Sequence, residues 1–362
     1  MPTHMNLIET RLHHGTDGLN SAGVPASLAG TFETPLDEFF TRSHAAPPRI
    51  DAASWRLVVD GLVARPLSLS LDDLHRFTRR EVTATLLCAG LRRNELLSVA
   101  PLPGELPWGP EPAGNARWSG VSLRDVLDAA GLSEDAAHIE FTGLDAVERH
   151  GSTFGFGGSI TREKAQDGDV LLALTQNGEP LRAEHGFPVR TLVPGWIGAR
   201  SVKWLGRITA SREPSSNYFQ TKAYRVRREP DPERPTDVTT GTPLAEMNLN
   251  AVIADPAPGD RVAAGAVTVR GWAVGAAGAQ VTAVEVSLDD GATWQPATLS
   301  DERARWSWTL WQATVTLPAG VHQVVVRAHD TTGTPQPSAL REAWNVKGYM
   351  NNSWHRVDVI AR

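Results

Sequence analysis

The chain has 362 residues, with 35 Lys and Arg against 41 Asp and Glu and a formal net charge of −6. It is too long for one ordinary core and lacks the overall positive field that collects nucleic acid or an anionic membrane. One cysteine rules out an intramolecular disulfide framework, and no stretch approaches the roughly 18 apolar residues of a membrane span. Two domains are expected, with neither nucleic acid nor membrane as partner, and any anion site has to be a local cluster of cations.

Residues 1–30 carry no apolar signal core and no paired arginines ahead of one. The expectation is a cytoplasmic protein, a periplasmic one requiring a presequence already removed. Short strand-like runs follow, such as Trp55-Arg56-Leu57-Val58-Val59 and Val189-Arg190-Thr191-Leu192-Val193, with a helix over Ser122–Ala130 between them. Ser122 is placed to cap that helix, Asp125 stands three residues on and Gly131 follows its end. The strands are not separated by regular long helices, so the first part reads as α+β and not doubly wound.

Arg228-Glu229-Pro230-Asp231-Pro232-Glu233-Arg234-Pro235 is dense in proline and charge and reads as a linker. Domains are therefore expected at 1–235 and 236–362. Beyond the linker the texture changes to alternating runs at 267–274, 281–288 and 321–328, the pattern of an all-β sandwich, with Asp289-Asp290-Gly291 as a hairpin turn. The aromatic segment Arg305-Trp306-Ser307-Trp308-Thr309-Leu310-Trp311 suits a sandwich core, the other reading being a contact face.

Two segments carry chemistry. In Leu86-Leu87-Cys88-Ala89-Gly90-Leu91-Arg92-Arg93 an apolar run ends at the thiol and gives way to paired arginines. A thiolate suits a transition metal, and flanking cations both favour the thiolate and hold anions; the plainer reading is a buried small hydrophobe. Downstream, His185, Arg190, Arg200 and Lys203 stand near glycine turns, donors that suit the phosphate and pterin edges of a cofactor. Taken singly, each is equally a solvated surface residue.

Together with Phe40-Thr41-Arg42-Ser43-His44 and the end Trp344-Asn345-Val346-Lys347-Gly348 to Trp354-His355-Arg356-Val357, these segments resemble the sulfite oxidase family of molybdopterin enzymes in its haem-free form. The resemblance implies a mixed α/β molybdopterin-binding domain followed by an immunoglobulin-like domain that forms a homodimer. It makes Cys88 the one protein ligand of molybdenum. Around the molybdenum cofactor it places Phe40, Arg42, His44, Cys88, Asp145, His185, Arg190, Arg200, Ser201 and Lys203. The substrate pocket becomes Arg42, Arg93, Trp108, Tyr224 and Lys347, with Cys88, Tyr224, Arg42 and Arg93 as the catalytic set.

The implied reaction is oxidation of sulfite to sulfate by oxygen-atom transfer. No haem, flavin or nicotinamide domain is recognised, so electrons pass to oxygen or to a separate acceptor such as a cytochrome. Three positions depart from the family pattern: Leu91 where Asn is common, Lys347 where animal and plant sulfite oxidases carry Arg, and Phe154-Gly155-Phe156 where Tyr-Gly is more usual. Nitrate reduction on the same fold is the alternative; nitrate enzymes tend to have Asn in place of Tyr224 and Met in place of Lys347, although Gly348-Tyr349-Met350-Asn351-Asn352 resembles their C-terminal loop. A non-catalytic assembly protein with a decayed cofactor domain is the reading from another class.

Overall fold

A computed structural model describes residues 11–15, 18–227 and 241–362. The expected linker and the boundary at 235 lie outside the described residues. Among these, strands dominate, and only the helix Leu123–Ala130 exceeds a single turn. The absence of regular long helices among the described residues agrees with the α+β reading, while the mixed α/β description overstates the helix content of the first domain.

Two sheets organise that domain. One runs in the order Gly157–Thr161, His138–Gly143, Leu205–Ser211, Leu57–Gly61, Leu67–Leu69, and the pairing of Leu205–Ser211 with Leu57–Gly61 is parallel. The other runs Glu179–Pro180, Leu171–Gln176, Ala113–Ser122, Arg79–Leu87, with Arg190–Leu192 also pairing against Leu171–Gln176. Leu57, Val59, Val121, Ile139, Phe141, Leu172 and Ile208 from both sheets share one core with Leu123, Val126 and Leu127 of the helix. The helix begins where Ser122 leaves the strand in extended backbone, and it ends at Gly131 in the left-handed region. Ser122 makes no side-chain capping bond; its hydroxyl is buried without a partner.

The second domain has two facing sheets, Asn250–Asp255, Gly265–Val274, Thr309–Leu317, Thr298–Leu299 and Arg261–Val262, His355–Ala361, Gly320–Asp330, Val281–Ser287, Gln295–Pro296. Alternate residues such as Val267, Val269, Val284, Val286, Val324 and Val326 point into one core, as the period-two pattern predicts. The Asp289-Asp290-Gly291 turn links the last two strands of the second sheet, with Asp289 accepting from Thr293.

The tryptophan segment divides its work. Trp311 enters the sandwich core, but Trp306 packs with Val82, Ala84 and Leu86 of the first domain. Trp308 stacks on Trp272 at 5.8 Å and donates its indole N–H to Phe32 O. The peptide N–H of Thr85 donates to Trp306 O, and Trp308 N–H to Thr85 Oγ1. Its alternation serves a seam between domains within one chain, which neither sequence reading foresaw.

Arg92 closes the same seam. Its side chain is wholly buried and holds Glu95 at 2.7 Å, Asn250 Oδ1 at 3.0 Å and Ser353 O at 2.9 Å. Removing one partner of a buried charge network strands the rest, at a cost of about 3–5 kcal/mol. Arg92→Met is therefore expected to lower stability by that amount in urea denaturation; a loss under about 1 kcal/mol contradicts a seam held by this residue.

Candidate active site

The strand Arg79–Leu87 delivers Cys88 to the end of the second sheet. There its N–H donates to Pro112 O, Leu91 N–H returns to Cys88 O, and Gly90 N–H points at the sulfur at 3.4 Å. Gly90 is required by close approach: a Cβ there would lie 2.8 Å from the Arg93 guanidinium carbon. Arg93 is thus folded back over the cysteine turn. It donates to Lys347 O at 3.0 Å, Gly348 O at 3.2 Å and Leu106 O at 3.0 Å. Leu91, the departure from Asn, packs with Leu28, Met247 and Trp308 in the seam, so that position serves interdomain packing.

Cys88 opens on a cleft of about 700 Å³ of empty space, part of it open to solvent, also lined by Phe40, Arg42, His44, Asp145, His185, Arg190, Ser201, Lys203 and Tyr224. Nearly every expected cofactor contact therefore meets at one place, although the residues span 164 positions, from Phe40 to Lys203, in separate strands and loops. Arg200 does not line the cleft. Its guanidinium is buried behind Tyr224, donating to Leu244 O and Phe219 O, and Nη2 has no partner. Trp108 also stands back, wholly buried in the cluster with Phe39, Phe40 and Cys88. Arg93 and Lys347 lie outside the cleft lining, on a shared carboxylate, Glu105, at 3.4 and 2.8 Å.

Buried cations dominate the cleft's electrostatics. Arg190 donates to His185 O and Ser201 O at 3.0 Å each, carbonyls only, and burial lowers it to about 9. Lys203 donates to Ser43 Oγ at 2.6 Å and Glu184 O at 2.8 Å, and burial, then Arg190, pushes it well below the ordinary lysine range. Asp145, itself raised by burial, is the one carboxylate on the lining. Such a wall is costly without an anion, since charges out of water need compensation.

Tyr224 sits in the left-handed region at φ 51°, its hydroxyl 2.9 Å from His44 Nε2. Burial raises the phenol to about 12, against the pull of Arg42 and Arg93. His44 lies between Phe156, stacked at 5.5 Å, and Phe219, tilted at 4.4 Å. Burial and Arg42 keep its imidazole well below its ordinary value. Phe156, Trp204, Tyr349 and Glu105 were not singled out from sequence as site residues. Tyr349 stacks on Tyr224 at 5.5 Å, and a lone Glu in a Pro-Gly loop has no spacing that marks it.

Among the described residues no three His, Cys, Asp or Glu side chains are grouped to hold a metal. A metal at Cys88 must then bring its own ligands. A pterin dithiolene with a phosphate fits the donor set: thiol at one end, and Arg190 and Lys203 in want of an anion along the wall.

An oxidoreductase molybdopterin binding domain profile matches residues 44–219, and a Mo-co oxidoreductase dimerisation domain profile matches 242–362. Sulfite oxidase of Gallus gallus is 41% identical over 346 residues, 93% of this chain and 75% of its own length. The chain belongs to the sulfite oxidase family of molybdopterin oxidoreductases. The mitochondrial sulfite oxidase of Homo sapiens, another member, is 40% identical over 94% of this chain, which spans 64% of that relative's length. Among solved structures, the sulfane dehydrogenase SoxCD from Paracoccus pantotrophus superposes with a TM-score of 0.82 at 26% identity, covering 98% of this chain and 89% of its own. No helix among the described residues is long and apolar enough to cross a membrane.

His185 in the cleft and His355 at the seam are, like His44, held well below their ordinary value, chiefly by burial. The unfolded chain takes up these protons near pH 6.5 while the native state refuses them. Stability is complete above that pH and falls below it, by about 1.4 kcal/mol per pH unit for each histidine. The urea midpoint is expected to drop more steeply between pH 6.5 and 5.5 than between 7.5 and 6.5; an unchanged slope counts against three neutral native imidazoles.

Proposed function

We propose that this chain oxidises sulfite to sulfate, with a molybdenum-pterin cofactor held by Cys88 Sγ and by the cationic wall of Arg42, Arg190 and Lys203. The observation that carries the reading is a single thiol opening on a cleft whose lining pairs buried cations with a phenol. The relatives named sulfite oxidase support it. When bound, the cofactor supplies two-electron redox chemistry and oxygen-atom transfer.

The chain's own part is to gather and orient a small oxyanion. Arg42 Nη1 is fixed by Asn20 Oδ1 and Ser43 O, while Nη2 faces His44 Nδ1 at 3.5 Å. With Nδ1 accepting from the guanidinium, the neutral imidazole carries its proton on Nε2 and donates it to the Tyr224 oxygen. That leaves the phenol proton free to donate into the cleft. A phenol held protonated beside fixed cations orients an anion without itself becoming one. The first domain thereby acts as cofactor domain for residues 1–235. Residues 236–362 act as an immunoglobulin-like sandwich through which two copies pair by a twofold axis, in line with the dimerisation profile. Oxygen or a separate cytochrome accepts the electrons.

Sulfite is expected to bleach the molybdenum absorbance of the purified, metal-assayed protein, and nitrate to leave the reduced protein unchanged. Reoxidation by nitrate without reduction by sulfite would favour nitrate reduction. Cys88→Ser is expected to keep the fold and much of the pterin, since Arg190 and Lys203 remain. Its sulfite turnover should fall by at least the roughly 10–100-fold that loss of an outer partner costs at metal sites; full turnover with bound molybdenum rules out the ligand assignment.

A further inference from the structure

Arg93 and Lys347 lie just outside the cleft lining, Arg93 against Tyr349, which stacks on Tyr224 of the lining, yet neither cation is free. Glu105 Oε1 accepts from Lys347 Nζ at 2.8 Å, and Glu105 Oε2 lies 3.4 Å from Arg93 Nη2. Among the described residues it is the only carboxylate paired with either cation. The pair is sheltered, with side chains 5% exposed at Arg93 and 15% at Glu105, so solvent screens it less than a surface bridge.

The backbone makes the arrangement specific. Arg93 is threaded between Gly90 and Gly348, where added Cβ atoms would lie 2.8 Å from its guanidinium carbon and 2.7 Å from its Cγ. Its Nε and Nη1 are spent on Lys347 O, Gly348 O and Leu106 O, which leaves Nη2 as the arm that meets Glu105. Glu105 comes from the loop Leu102-Pro103-Gly104-Glu105-Leu106, and the same loop gives Arg93 its Leu106 carbonyl. The Tyr349 ring lies against Arg93, with the guanidinium 5.1 Å from its centroid, and stacks in turn on Tyr224. Charges at Arg93 and Glu105 act in opposite senses on the Tyr224 phenol.

We propose that Glu105 is a specificity-determining residue, an internal carboxylate that occupies the Arg93 and Lys347 cations and that an incoming oxyanion must displace. The inference rests on the oxyanion reading of the cleft. A carboxylate and a tetrahedral or pyramidal oxyanion ask for the same donors, so the two compete. Glu105 lowers the net positive charge by one and sets how strong an anion has to be to enter. A weakly basic anion gains too little from the two cations to break the pair.

The test is sulfate binding to the molybdenum-loaded holoenzyme by titration calorimetry, for the native protein and for Glu105→Gln, with sulfite KM and kcat alongside. Glu105→Gln is expected to bind sulfate about tenfold more tightly, with a lower sulfite KM and a steeper loss of affinity with salt. An equal or weaker sulfate affinity in a variant of unchanged melting temperature overturns the proposal. Should the variant not fold, the crystal structure of the native holoenzyme with sulfate decides. Glu105 more than 4 Å from Lys347 Nζ supports displacement, whereas sulfate bound with the pair intact, or no sulfate bound, overturns it. Tighter sulfate binding without reduction by sulfite keeps Glu105 in this role and removes the sulfite reading; reduction by sulfite with unaltered sulfate affinity does the reverse.

Discussion

The placement of the site depends on what the chain does with two successive arginines after Cys88. Arg92, in left-handed backbone at φ 57°, turns its guanidinium into the second domain, where Asn250 and Ser353 O receive it. Arg93 turns the other way, back over Gly90, and takes the Lys347 and Gly348 carbonyls from the C-terminal loop. One dipeptide therefore ties the thiol-bearing turn to both ends of the second domain. The buried charge of Arg92 makes that tie directional, because a guanidinium out of water tolerates few geometries. Trp306 and Trp308 add the apolar part of the same seam.

The cleft shows the opposite economy. At the seam Arg92 and Arg93 each meet a carboxylate, while along the cleft Arg190 and Lys203 donate only to neutral acceptors and are pushed down by burial. A fold stable enough to carry such a wall is one prepared for an anionic group. Between the two regions stands Glu105, which gives Arg93 and Lys347 a carboxylate at the border of seam and cleft. Tyr224 feels charges on both sides, Arg42 in the cleft and Arg93 and Glu105 at the border, while Tyr349, stacked on it, feels Arg93 and Glu105.

Local signals read well where the physics is local. The period-two runs at 267–274, 281–288 and 321–328 became strands of two facing sheets, because alternate burial needs nothing beyond the strand itself. Gly131 ended the helix as a glycine in left-handed backbone should, but Ser122 did not cap it. The tryptophan segment misled for a related reason: alternation reports burial without saying against what, and the partner was the other domain.

Residue chemistry along the chain determined that a lone thiol beside arginines suits a metal, and family resemblance drew Phe40, Arg42, His44, Asp145, His185, Arg190, Ser201 and Lys203 toward one cofactor. Only the tertiary structure decided which of the named residues face the cleft, setting Arg200 and Trp108 behind it and giving Arg93 and Lys347 a shared partner in Glu105. Side-chain type is written in the sequence, whereas charge pairing depends on distances of about 3–4 Å between segments more than 200 residues apart, as in the 242 residues separating Glu105 from Lys347. Such distances exist only after the seam has closed.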